Sequence, residues 1–507
     1  MSNKETFFND ITEGYKAKGE FITLGAGMYG EETVTNAFVN IPLKTLNRHG
    51  LIAGATGTGK TKTLQVLAEN LSEKGIPVLL MDVKGDLSGI AKPSPGHAKI
   101  DERHAKIGLS FEAKGFPIEI LTISEQNGTR LRATVSEFGP VLLSRILDLS
   151  EAQSGIVAIL FKYCDDKKLP LLDLKDFKKI LQYSTGEGKE ELESEYGRIS
   201  TSSTGAILRK VVEIEQQGGD LFFGERSFEV EDLTRVDENG KGVISILRLT
   251  DIQDKPKLFS TFMLQLLAEI YSTFPEQGDS GRPELILFID EAHLIFEEAS
   301  KVLLNQIESV VKLIRSKGIG VYFVTQNPKD IPADVLSQLG LKIQHALRAF
   351  TANDRKAIKL TAENYPISEY YDTAEVLTNL GIGEAFVTCL NEKGIPTPLA
   401  RTMLRAPMSR MDILTPEELK DIISSSKLAK KYNEEIDRES AYEILNDKIE
   451  RAEKLEAEAE KKKQEEKEQS RRSTSTRGST RMNPIVKVVT SATFIRGVLG
   501  VLKKVMK

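Results

Sequence analysis

Residues 50–83 read GLIAGATGTGKTKTLQVLAENLSEKGIPVLLMDV. An apolar run, GLIAG, meets a glycine-rich turn, ATGTGKT. A stretch with helical apolar spacing follows, KTLQVLAENLSEKG, and then a second apolar run, IPVLLMDV. Buried strand, helix, buried strand is the pattern of a βαβ unit in a parallel sheet. The turn matches G-x-x-x-x-G-K-[ST] over Gly54, Ala55, Thr56, Gly57, Thr58, Gly59, Lys60 and Thr61, in the strand-before, helix-after setting that gives the motif meaning. Glycines there let backbone N–H groups curl round a phosphate, and the helix N-terminus adds a favourable dipole. Lys60 is expected to reach the β- and γ-phosphates and Thr61 to coordinate Mg2+, with Thr63 in the same nucleotide-binding set. ATP and Mg2+ are therefore the expected ligands.

Further along the chain, ELILFIDEAH is an apolar strand that ends in two acids, Asp290 and Glu291. Beside a phosphate loop, the first acid is expected to hold Mg2+ and the second to polarise the attacking water. A glutamate base favours hydrolysis over transfer to a second substrate. Gln326 follows the next apolar strand, GVYFVT, and parallel strands end on one edge, where ligands collect; it is the candidate γ-phosphate sensor. Asp82 and Lys84, in MDVKGD, end the second strand on that same edge, where a plain strand-end turn with Gly85 is an equal reading. Arg48, just before the first strand, and Arg315, late in the helix after the acid pair, read in isolation as surface arginines.

Around these motifs the chain divides into six stretches. Residues 1–48 read as a short β-rich segment, 49–135 as the first part of an ATPase core, and 136–235 as a helical insertion with 3–4 apolar spacing. Residues 236–410 resume the core, and 411–470 form a charged helical extension with Glu450–Lys454 and Glu458–Lys462 at i,i+4. Residues 471–507 are a Ser/Thr/Arg-rich linker and an amphipathic basic helix over 485–507, with Ile485, Val488, Ala492, Ile495, Leu499, Leu502 and Met506 on one face. Such a helix suits an anionic membrane surface, a protein partner, or the chain's own body.

The 507 residues carry 69 Lys+Arg against 74 Asp+Glu, a net charge of −5. Nine bases and no acid lie in 471–507, so the first 470 residues carry the remaining −14. Any contact with nucleic acid must come from a local basic surface. Two distant cysteines, Cys164 and Cys389, argue against a disulfide scaffold, and no run of apolar residues suits a signal peptide or a membrane span, so a cytoplasmic protein is expected. The string Asp290-Glu291-Ala292-His293 lacks the downstream arginine-rich motif of a DEAH-box helicase, and Leu87-Ser88-Gly89-Ile90 is not the signature of an ABC ATPase.

The stretches NRHGLIAGATGTGKT, DVKGDLSG, FIDEAHLIF, RSKGIGVYFVTQNPKDIP and QHALRAFT resemble the HerA–FtsK superfamily of ring ATPases, and within it the YjgR-like bacterial family of HerA-like proteins. The resemblance runs to about Ala441. It implies an α/β fold: a RecA-like P-loop NTPase core with a mostly parallel sheet, here with a helical insertion and a helical C-terminal extension. It also implies Mg-ATP hydrolysis at the interfaces of a hexamer. Arg48 and Arg315 match the places of two interface arginines, which adds both to the catalytic set of Lys60, Glu291 and Gln326. The function implied is a translocase or helicase-like motor on double-stranded DNA. The alternative is an ATP-gated scaffold acting on a protein partner or a membrane through 485–507.

Overall fold

The computed structural model describes residues 3–252, 255–278, 280–297, 301–434, 436 and 438–474. Two compact units divide the chain, Met1–Ile444 and Leu445–Lys507. The first holds a twelve-stranded sheet, and the strands are numbered here in chain order: β1 Phe21–Tyr29, β2 Glu32–Pro42, β3 Gly50–Ala53, β4 Val78–Asp82, β5 Ile118–Thr122, β6 Thr129–Arg130, β7 Ile244–Arg248, β8 Leu285–Ile289, β9 Ile319–Thr325, β10 Leu341–Gln344, β11 Glu384–Thr388 and β12 Ala400–Leu404. Their order across the sheet is β2-β1-β12-β11-β10-β3-β9-β8-β4-β7-β5-β6.

From β10 to β6 every neighbouring pair is parallel, whereas the four pairs from β2 to β10 are antiparallel. The sheet is therefore mostly parallel, as expected. In β3, β4, β8 and β9 every residue is buried, which is why LILFI and IGVYFVT read as unbroken apolar runs rather than alternating ones. The chain leaves the sheet after β6 for the helical stretch expected over 136–235, which contains helices Glu151–Lys167, Leu174–Thr185 and Thr201–Gln216, and returns at β7. Ser150 and Asp173 cap the first two of these through capping boxes.

Residues 1–48 are not only β-structured. Besides β1 and β2 they contain helix Asn3–Gly14, which buries Phe7 and Ile11 in the core they share with Ile22, Leu24 and Val39. Its exit is pinned by Tyr15, whose hydroxyl donates to the carbonyls of Val387 and Pro398, both at 2.7 Å. With only two buried residues in twelve, the helix owes its place to tertiary packing rather than to its own pattern.

Helix Ala441–Thr474 continues the charged extension. Its side chains from 451 to 467 are all exposed, and the Lys454–Glu450 pair lies at 3.6 Å, so this is a solvated helix supported by surface pairs. The amphipathic segment 485–507, and the linker from 475, lie outside the described residues. Among the described residues no helix is long and apolar enough to cross a membrane.

Candidate active site

The C-terminal edge of the parallel strands collects the residues picked out from the sequence. The loop after β3 enters helix Lys60–Glu73 through Gly59, which takes a left-handed conformation, φ 109°, as the helix cap. Gly54 turns at φ 154°, and a Cβ there would stand 2.5 Å from the Cβ of His345; only glycine passes so close under the loop. The Ala55 N–H donates to the Ala346 carbonyl at 2.8 Å, and Thr58 Oγ1 donates back to the Ala55 carbonyl at 2.7 Å. Lys60 folds over its own loop, donating from Nζ to the carbonyls of Gly54 at 2.7 Å and Ala55 at 3.2 Å. Burial, and then the charge of Lys84, hold its ammonium below the ordinary lysine range against the pull of Glu291 and Asp290. Thr61 follows it, half-buried in the first helical turn.

Asp290 and Glu291 leave β8 at this same edge. Asp290 is buried; its Oδ1 accepts the Glu291 N–H at 3.0 Å, and its Oδ2 has no hydrogen-bond partner among the described residues. Burial pushes the carboxyl up to about 7, against the charge of Lys84. Glu291 is also buried and sits at φ 46°, a strained backbone of the kind that concentrates at functional sites. Its Oε1 lies 2.5 Å from Lys84 Nζ and its Oε2 3.3 Å from His293 Nδ1. Burial alone would raise its carboxyl, but the hydrogen bond and charge of Lys84 hold it below the usual range. Gln326, exposed at the end of β9, reaches the loop: Thr56 Oγ1 is 3.4 Å from its Oε1.

A buried carboxylate oxygen with no partner, beside the hydroxyl-bearing first turn of the loop helix, is a donor set that fits Mg2+, a hard cation that takes oxygen ligands and keeps several waters. The loop N–H groups and Lys60 fit a polyphosphate. Asp82, by contrast, behaves as a strand-end turn residue. It is buried, and its carboxylate accepts N–H groups from Gly85, Asp86 and Leu87 at 2.7, 3.3 and 3.2 Å.

Thr63 is buried, and its hydroxyl is engaged by His345 Nε2 at 2.9 Å, so this side chain props the loop from beneath. His345 itself is fully buried at the end of β10, next to β3, under Gly54 and Gly59. Nothing in the motif flags it: the histidine follows LKIQ, a short strand with two polar residues, and its place beneath the loop comes from the pairing of β10 with β3. Burial, and then the Lys60 charge, push its imidazole down to about 4. Between its ordinary value of 6.5 and 4 the unfolded chain therefore binds more protons than the folded one. The stability this site contributes is full above pH 6.5 and is lost as the pH falls toward 4. The loss is about 2 kcal/mol between pH 7 and pH 5. Urea titrations at the two pH values should show His345→Asn losing less stability on acidification than the parent by that amount; equal losses would contradict it.

The two arginines lie elsewhere. Arg48 ends the turn Leu43–Arg48 that enters β3, and Arg315 opens the turn Arg315–Lys317 that enters β9. Since β3 and β9 are adjacent and parallel, with Gly50 opposite Tyr322, both arginines fall at the N-terminal edge of the sheet. There they line one depression of about 320 Å³ with Lys44 and Lys312. The depression also holds Glu392, whose Oε1 is committed to the N–H groups of Lys18 and Gly19 at 2.8 and 2.7 Å. The length of β9, seven residues, puts this cationic pocket about 20 Å from the phosphate loop of the same chain.

A parallel sheet with a phosphate loop on its central strand and an acid pair two strands away defines a P-loop nucleoside triphosphatase. The family description "Helicase HerA-like C-terminal" matches residues 29–504. The chain belongs to that family and is a P-loop ATPase of the HerA–FtsK kind. It is 25% identical over 404 residues to the DNA double-strand break repair helicase HerA of Sulfolobus acidocaldarius, covering 76% of this chain and 71% of that protein. The bacterial conjugative coupling protein TrwBdeltaN70 shares its fold at a TM-score of 0.52 and 15% identity, over 80% of this chain and 94% of that one. TrwB in complex with ADP and Mg2+ superposes at a TM-score of 0.50 and 16% identity, over 80% of this chain and all of that one.

Proposed function

We propose that this chain is one subunit of a ring, a hexamer by the habit of the HerA–FtsK superfamily, that hydrolyses MgATP at its subunit junctions and uses the cycle to move along double-stranded DNA in the cytoplasm. The loop from Gly54 to Thr61 holds the phosphates, with Lys60 turning from its own loop carbonyls to the β- and γ-oxygens. Thr61 and Asp290 hold Mg2+, which neutralises phosphate charge when bound. Glu291 takes the proton of the attacking water, and Gln326, against Thr56, senses the γ-phosphate. The curated relatives named as DNA repair helicases and the TrwB complex with ADP and Mg2+ support this assignment of substrate and cofactor.

One observation carries the reading: the phosphate loop and the pocket of Arg48 and Arg315 lie on opposite edges of one sheet, about 20 Å apart. An arginine at that distance does not reach its own chain's γ-phosphate. It reaches a neighbour's when subunits meet edge to edge, and a ring gives every site such a neighbour. Mixing Arg315→Ala subunits with Glu291→Gln subunits tests this. Each is inactive alone, and a mixed ring contains junctions where an intact Glu291 faces an intact Arg315. Recovered turnover is the expected result; none at any mixing ratio contradicts an arginine supplied in trans.

A further inference from the structure

Lys84 has no place in the roles above, yet its ammonium lies against the carboxylate on which they depend. β4 and β8 are parallel neighbours with Met81 opposite Ile289, so the chain beyond β4 emerges next to Asp290 and Glu291. The turn that carries Lys84 is held by the buried Asp82 carboxylate through three backbone N–H groups. On the other side Glu291 is held by its own N–H, which donates to Asp290 Oδ1. Between these two supports a single contact closes, Lys84 Nζ to Glu291 Oε1 at 2.5 Å. Oε2 is buried and makes no hydrogen bond among the described residues, with His293 Nδ1 3.3 Å away.

We propose that Lys84 is the positioning residue for the general base: it holds Oε1, which leaves Oε2 as the oxygen that accepts the proton. This rests on the reading of Glu291 given above. In the step itself the water oxygen bonds to the γ-phosphorus and its proton passes to Oε2. The bond from that phosphorus to the β–γ bridging oxygen breaks, and its electron pair leaves with ADP. A carboxylate free to rotate serves this step poorly, because a misplacement of about 1 Å at a reacting group costs on the order of 100-fold in rate. The lysine side chain is 37% exposed and the glutamate's 7%, so the ammonium reaches a buried carboxylate from the open side of the site. The other charged or titratable groups facing Glu291 are Asp290 on its own strand end, His293 in the helix that follows and Lys60 across the loop.

Steady-state turnover and equilibrium binding of a fluorescent mant-ATP, measured on full-length Lys84→Met, Lys84→Gln, Lys84→Arg and Glu291→Gln, test the proposal. Lys84→Met and Lys84→Gln should lower kcat by about 10–100-fold with KM and mant-ATP affinity unchanged within about twofold, and Lys84→Arg should recover most of the loss. Retained mant-ATP binding shows the variants folded. Wild-type turnover in Lys84→Met beside an inactive Glu291→Gln would overturn the role of Lys84 and leave Glu291 standing. Faster turnover in Lys84→Met would identify a lock, and lost mant-ATP binding a phosphate ligand; either overturns positioning. Full turnover in Glu291→Gln would sink the general base itself.

Discussion

Arg315→Ala should lower the steady-state rate of ATP hydrolysis by about 10³–10⁵-fold, the contribution of an arginine that meets the transferring phosphoryl group. That is about 4–7 kcal/mol of transition-state stabilisation. ATP affinity should stay within about twofold, because binding rests on the phosphate loop of the chain that holds the nucleotide. Arg315 is exposed, and its backbone carbonyl, which alanine keeps, accepts from Asn47 Nδ2 at 3.5 Å. Turnover by a coupled assay and affinity by mant-ATP titration separate the two effects. A fall in affinity with an unchanged kcat would mean that Arg315 acts on ground-state binding or on assembly instead.

Glu291→Gln carries the second large effect. The amide keeps the size of the carboxylate and an oxygen for Lys84, but it does not accept the proton of water at neutral pH. Losing a positioned general base costs about 10²–10⁴-fold in kcat. The variant should bind ATP at least as well as the parent, since a negative charge next to the triphosphate is gone, and should hold ATP uncleaved. Quenched-flow analysis of bound nucleotide checks this: ATP persisting on the variant while the parent has converted its share to ADP is the expected outcome. Rapid conversion with slow ADP release would place the defect after chemistry.

The central unit was legible because its strands are buried on both faces and its turns carry motif residues. GLIAG, ATGTGKT and ILFIDE are short and chemically loud, and the structure puts them at one edge. The antiparallel half was not. LKIQ, EAFVT and ARTML are strands of four or five residues, too short for their periodicity to decide, and their place depends on pairing with β1 and β3. Helix Asn3–Gly14 escaped notice for the same reason, its two buried side chains having meaning only against the core they join. His345 and the Lys84–Glu291 contact are products of strand adjacency across 282 and 207 positions of sequence, which spacing rules do not reach. The pairing of Arg48 with Arg315 had one usable signal: each stands just before an apolar run, and parallel neighbours start on one edge.

The measurement that bears most directly on a DNA-driven motor is steady-state ATP turnover with and without duplex DNA, at low salt and at about 150 mM salt, with Lys60→Ala as the blank. A chain whose first 470 residues carry a net −14 must grip DNA through a local basic surface, and such contacts release counterions and weaken as salt rises. Duplex DNA should therefore raise turnover several-fold at low salt and less at 150 mM, with Lys60→Ala silent throughout. Turnover that is robust and the same with and without DNA at both salts would contradict the motor.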